Sequence, residues 1–194
     1  MIKREIAAWT RWLHIYLSMF SFAALLFFAV TGITLNHTSW IEGQQRVEQV
    51  DGQLTLAWVA RSATIDKLQI VEYLRNTHGI KARVNDFLID DAECSVSFKG
   101  PGYAADAFVD RTTGRYELTV TKSGAVAIMN DLHKGRDTGT AWAWLIDISA
   151  ALMILVSLSG FLMIFFLKNK RLNGLLLTTA GAVVIVVIYY LFAR

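Results

Sequence analysis

Three apolar runs constrain this chain more than any other feature: Ile15 to Leu35, Ala141 to Leu167 and Gly174 to Ala193. Each has roughly the 20 residues that the hydrocarbon core of a bilayer demands of a helix. A segment in that solvent must satisfy its own backbone hydrogen bonds, so each run is read as a helix. Composition agrees. Of 194 residues, 54% are hydrophobic and 18% charged, against about 25% charged in a typical soluble domain, and the mean hydropathy is +0.40. The fold class is therefore membrane α-helical, with three transmembrane helices. A small α+β extracytoplasmic domain is inserted between helices 1 and 2. The chain divides into a cytoplasmic N-terminus (1–11), helix 1 (12–37), the inserted domain (38–129), a polar return segment (130–140), helix 2 (141–167), a cytoplasmic turn (168–173) and helix 3 (174–193).

Basic residues report topology. Lys3, Arg4 and Arg11 precede the first run, and Lys168, Lys170 and Arg171 sit between the second and third. Positive charge collects on the cytoplasmic side, so the inserted domain and the C-terminus are expected outside. Trp9 and Trp12 mark the inner end of helix 1, with Trp40 just past its outer end. Trp142 and Trp144 mark the outer end of helix 2, and Tyr189 and Tyr190 that of helix 3. Such rings favour the headgroup level. No small-residue cleavage site follows the first run, which reads as an uncleaved anchor rather than a signal peptide. A net charge of +3 gives no reason to expect a nucleic-acid partner; the lipid bilayer is the partner the composition demands.

In the middle domain, Thr64 is an N-cap candidate for a helix over Ile65–Thr77, with Ile65, Leu68, Val71 and Leu74 on one face and Gly79 at its C′ position. Strand-like stretches follow at 82–90, 94–99, 103–110 and 115–121, separated by turn residues. The lone Cys94 cannot form an internal disulfide and reads as a small buried strand residue.

The candidate chemistry lies at the helix ends. His14 and His37 are 23 residues apart, roughly 35 Å along a helix, so they cannot share a ligand. His37 and His133 fall at the same outer depth, which is the arrangement that holds an iron porphyrin from both faces. Lys134 and Arg136 suit its anionic propionates. Interfacial capping is the plainer account of both rings. Asp147 is the one acidic residue well inside an apolar run, which points to a proton or hydrogen-bond role, or to a structural bond with hydroxyls such as Thr31, Thr34 or Ser18. Gly32 and Gly160 each follow a hydroxyl residue and allow close packing of helices or of a flat cofactor.

The segments Arg11-Trp12-Leu13-His14, Thr31-Gly32-Ile33-Thr34-Leu35-Asn36-His37, Asp131-Leu132-His133-Lys134-Gly135-Arg136-Asp137-Thr138-Gly139 and Leu158-Ser159-Gly160 resemble the PepSY-associated transmembrane helix proteins in their short form. The middle domain is similar in element order to a PepSY domain. Some larger members of that family are inner-membrane reductases that release iron from siderophores and carry haem b bound by histidines between transmembrane helices. The resemblance thus implies haem b bound at the positions His14, His37 and His133, a bacterial inner membrane location with the PepSY-like domain periplasmic, and an oxidoreductase component serving a ferric siderophore or a partner redox protein. With only three helices here, a homodimer or a partner redox membrane protein would supply missing ligands. The alternative is a non-enzymatic, membrane-anchored PepSY binding module or an accessory subunit of a larger membrane complex.

Overall fold

The structure, a computed structural model, describes residues 2–40, 44–60, 65–167 and 169–193. Three of its helices are long and apolar enough to cross a membrane: α1 (Ile2–Asn36), α5 (Thr140–Ile164) and α6 (Arg171–Ile188), the last extended by a π-helical turn over Tyr189–Ala193. Hydroxyls on these helices turn back onto their own backbone. Ser21 donates to the Leu17 carbonyl at 2.8 Å and Thr178 to that of Gly174 at 2.9 Å, so they cost little in an apolar setting. The described chain forms two compact units. One is Met1–Leu26 with Asp147–Arg194, and the other is Phe27–Ile146.

The second unit holds a five-stranded antiparallel sheet in the order β1-β5-β4-β3-β2. Its strands are β1 (Arg46–Gln53), β2 (Arg83–Ile89), β3 (Glu93–Gly100), β4 (Tyr103–Asp110) and β5 (Arg115–Lys122). Alternation sends Cys94, Val96 and Phe98, then Ala105, Ala107 and Val109, then Tyr116, Leu118 and Val120 to one face. The short helix α2 (Leu56–Val59) and the helix α3 (Lys67–His78) complete that core with Val59, Ile70, Val71 and Leu74. Fully burying a side chain such as Phe98, Ile70 or Leu118 contributes about 1.5–3 kcal/mol. The two buried alanines of β4, Ala105 and Ala107, take little room between the larger side chains of β3 and β5.

The four expected strands are present to within two residues at each end. Besides the short α2, two longer elements were not anticipated. β1 reads Arg-Val-Glu-Gln-Val-Asp-Gly-Gln and buries none of its residues fully, so it carries no period-2 signal; only its eight-residue register with β5 makes it a strand. The polar return segment starts inside a helix, α4 (Ala125–Lys134), closed by Gly135 in the left-handed conformation. For α3, Thr64 lies outside the described residues. The cap of the helix is Asp66, whose side chain accepts from the Gln69 N–H at 3.1 Å. Leu68 was expected on the buried face and is 68% exposed. The stripe centres on Ile70, Val71 and Leu74, and at about 100° per residue Leu68 lies more than a quarter-turn off it.

α4 ties the sheet to the ends of two apolar helices. Its Asp131 carboxylate accepts from the Gly102 N–H in the β3–β4 turn at 2.9 Å. Its Leu132 carbonyl accepts from the Trp142 indole of α5 at 2.8 Å. Its Asn130 is buried and accepts from the Thr34 hydroxyl of α1 at 2.6 Å.

One close approach and one titrating pair lead to predictions. Tyr116 lies across Gly52, where an added Cβ would fall 2.3 Å from the phenol ring. The Gly52→Ala variant should lose about 1–3 kcal/mol through overpacking, read as a lower denaturation midpoint of the full chain. The Tyr116 hydroxyl also meets His78 Nε2 at 2.7 Å. Burial, then the neighbouring Tyr73, pushes the phenol up to about 12. Burial holds His78 below its ordinary 6.5. As pH falls, the unfolded chain therefore takes up the imidazole proton first, and stability that is full above about 6.5 is lost on descending through and below that value. Unfolding of wild type should become easier between about pH 8 and about pH 5, and His78→Gln should flatten that dependence.

Candidate functional site

The histidines on or beside the apolar helices are built into their surroundings in two similar ways. In the unit Phe27–Ile146, Thr31 of α1 is fully buried. Its hydroxyl donates to the Phe27 carbonyl one turn back, at 2.6 Å. The same oxygen lies 2.5 Å from His133 Nδ1, on the last turn of α4. Phe28 meets the His133 ring edge-on, with centroids 5.1 Å apart. Gly32 leaves the wall beside the ring flat: a Cβ there would sit 3.9 Å from His133 Cε1.

In the unit Met1–Leu26 with Asp147–Arg194, the roles of the helices are exchanged. His14 of α1 reaches Ser159 of α5, with Nδ1 at 2.9 Å from the buried hydroxyl and 3.2 Å from the Val156 carbonyl. The Ser159 hydroxyl itself donates to that carbonyl at 2.8 Å. The following residue is Gly160, whose added Cβ would fall 3.2 Å from His14 Cε1. The sequence pairs Thr31-Gly32 and Ser159-Gly160 are thus both histidine seats: a hydroxyl meets Nδ1 and a glycine lies beside the ring, and at Gly160 the missing Cβ is what makes room for it.

His37 is exposed just past α1. Its Nδ1 donates to the Ile33 carbonyl at 3.0 Å, and its ring stacks on Trp40 with centroids 4.3 Å apart. Among the described residues, no hydrogen bond or ring contact joins His37 to His133. His37 follows Thr31, the anchor of His133, by six residues, so the two positions leave the helix about 120° apart. Lys134 and Arg136 are exposed. Arg136 borders a cleft of about 230 Å3 together with Lys99, Tyr103, Asp131 and Asp137. Asp147 is exposed on α5 and has no hydrogen-bond or ion-pair partner among the described residues. The hydroxyls of Thr31, Thr34 and Ser18, considered as its partners, are engaged elsewhere.

A family model matches residues 8–194, nearly the whole length. The chain belongs to the PepSY_TM-like family. No curated protein and no solved structure matches it. In this PepSY_TM-like chain the membership accounts for the pairing of apolar helices with a sheet domain, and the contacts above place its histidines. Asn130 and Trp142, which join α4 to α1 and α5, were not singled out in the sequence as site residues. Asn130 could have been found as a polar residue one turn before His133.

The two glycines should respond differently to the same change. Gly160→Ala crowds the His14 ring and should shift its NMR resonances strongly. Gly32→Ala reaches ordinary van der Waals distance and should leave those of His133 nearly unmoved.

Proposed function

We propose that this PepSY_TM-like chain is an inner-membrane electron-transfer component that holds haem b by histidine. It would pass electrons to an acceptor on the side of the sheet domain, such as a ferric siderophore or a partner redox protein. The observation that carries the reading is the state of the three histidines near the apolar helices. His14, His37 and His133 each engage a neighbour through Nδ1, and Nε2 of each has no partner among the described residues. An imidazole held by one nitrogen and open at the other is the usual axial ligand geometry.

The donor set fits one axial imidazole at each seat rather than two. The second would come from a second copy of the chain or from a partner membrane protein. No group of three or more His, Cys, Asp or Glu converges among the described residues as a bare metal site would need. When bound, haem would supply one-electron chemistry. The chain's own residues would hold and orient it: His133 and His14 as ligands, Lys134 and Arg136 as cations for the propionates at the polar end. Asp147 would supply an acidic group along α5. Lys3, Arg4 and Arg11 in the N-terminal part of α1, and Lys168, Lys170 and Arg171 in the sequence that follows α5, favour a sheet domain facing away from the cytoplasm.

The test is the visible spectrum of the full chain, expressed with ample haem and purified with any co-purifying partner. A Soret band that sharpens and shifts on dithionite reduction, with resolved α and β bands, is expected. His133→Ala or His14→Ala should each remove part of that signal. Colourless wild-type protein would sink the proposal.

A second reading, a membrane-anchored binding module, draws on the sheet face opposite α3. Leu88 and Phe108 flank Ser95 in one cross-strand row there, and both are exposed. Phe108 also borders a concavity of about 690 Å3 with Asp51, Glu93, Asp110 and Glu117. On that reading Phe108→Asp abolishes binding of a partner while the double change His14→Ala, His133→Ala leaves it intact.

A further inference from the structure

Two hydroxyls in apolar helices have more to satisfy than a single proton allows, and this determines the state of the rings they touch. A Thr or Ser hydroxyl has one hydrogen to donate. The Thr31 hydroxyl lies 2.6 Å from the Phe27 carbonyl oxygen. Two oxygens at that distance need a proton between them, and a carbonyl has none to give. The proton of Thr31 is therefore committed to Phe27. Its oxygen can only accept from His133 Nδ1, which must carry the ring proton.

The same reasoning holds at Ser159. The Val156 carbonyl lies 2.8 Å from the Ser159 hydroxyl and 3.2 Å from His14 Nδ1. It accepts from both, so Nδ1 of His14 is again the protonated nitrogen.

We infer that Thr31 and Ser159 are positioning residues that fix the Nδ1–H tautomer of His133 and His14 and leave the lone pair of each ring on Nε2. The arrangement is built twice, in separate units and with the helices exchanged. In one, α1 supplies the hydroxyl and α4 the ring. In the other, α5 supplies the hydroxyl and α1 the ring. His37 obtains the same tautomer from a backbone carbonyl that can only accept. His78 differs, since its contact with Tyr116 is through Nε2. A neutral ring with an open Nε2 is the ligand form for a transition-metal centre. That last step rests on the haem reading above; the tautomer assignment does not.

The tautomers can be read without any haem. The full chain, labelled with 15N-histidine and prepared haem-free in nanodiscs, has four histidines to resolve, assigned by single His→Gln changes. At about pH 8.5 an ordinary imidazole is neutral. His133 and His14 should then show a protonated, pyrrole-like Nδ1 and a pyridine-like Nε2. Thr31→Val should release His133 into a mixture of tautomers and leave His14 unchanged, whereas Thr31→Ser should restore the wild-type pattern. Thr34→Val, which breaks the neighbouring bond to Asn130, should leave the His133 tautomer as it is. Ser159→Ala leaves His14 only the longer contact to Val156, so its preference should weaken without vanishing. In a haemin titration, Thr31→Val should cost about 10–100-fold in affinity, the usual consequence of losing the partner behind a ligand, and Thr31→Ser should recover it.

Wild-type His133 protonated at Nε2, or a His133 tautomer indifferent to Thr31→Val, would overturn the inference. The expected tautomers in a protein that takes up no haemin would instead sustain it and remove the haem reading.

Discussion

Thr31 is buried just after the wholly apolar stretch Phe22 to Val30 of α1, and its hydroxyl is where α1 and α4 are joined. It closes a bond to its own helix, accepts from His133 at the end of α4, and sits one turn before Thr34, which holds Asn130 of the same α4. In an apolar medium a polar atom left unpaired costs far more than a typical hydrogen bond contributes in water. The end of α4 is therefore bound to α1 through polar atoms that have little alternative. The rest of the return path follows. With Asn130 and His133 on α1, Asp131 faces the β3–β4 turn, and the Leu132 carbonyl meets the indole of Trp142.

This joint explains how a sheet domain can be inserted between two apolar helices without a long flexible connection. α4 is ten residues long and ends in Gly135. Gly135, Asp137 and Gly139 all have positive φ, so the chain turns sharply before α5 begins at Thr140. Asp137 is the one non-glycine residue with positive φ among the described residues, and Asp adopts that conformation more readily than most L-residues. The sheet itself depends on none of this. Its core of Phe98, Ile70, Leu74 and Leu118 closes under α3 and would bury the same surface whatever followed β5. By contrast α6 buries no residue in the chain, so its apolar surface faces lipid or another protein.

Much of the architecture was legible because it rests on periodicity. The second and third apolar runs lie within a few residues of α5 and of α6 with its π-helical turn, whereas α1 begins at Ile2, well ahead of the expected start, because the polar residues before Ile15 continue the same helix. The strands from Arg83 to Lys122 alternate clearly because one face is buried and the other open. β1 was not legible because it is an edge strand whose residues are at most half-buried, so nothing in its own sequence marks a face. α4 was hidden because its polar residues bond to neighbouring elements, which makes a buried helix read like a loop. Leu68 was misplaced because an apolar residue near a helix start can sit off the stripe at little cost. The contacts of the histidines were not legible: spacing set His37 beside His133, whereas the hydroxyl that meets His133 is Thr31 and His37 bonds to its own helix at Ile33.

The sequence by itself determined that three segments are apolar enough to cross a bilayer, and it placed two hydroxyl–glycine pairs, Thr31-Gly32 and Ser159-Gly160, within them. Those features follow from local composition and from the fixed rise of a helix. Which hydroxyl receives which ring was decided only by the tertiary structure. Ser159 meets His14 across 145 positions of sequence and Thr31 meets His133 across 102. A hydroxyl's single proton, and the carbonyl that claims it, can be assigned only once packing has brought donor and acceptor within reach.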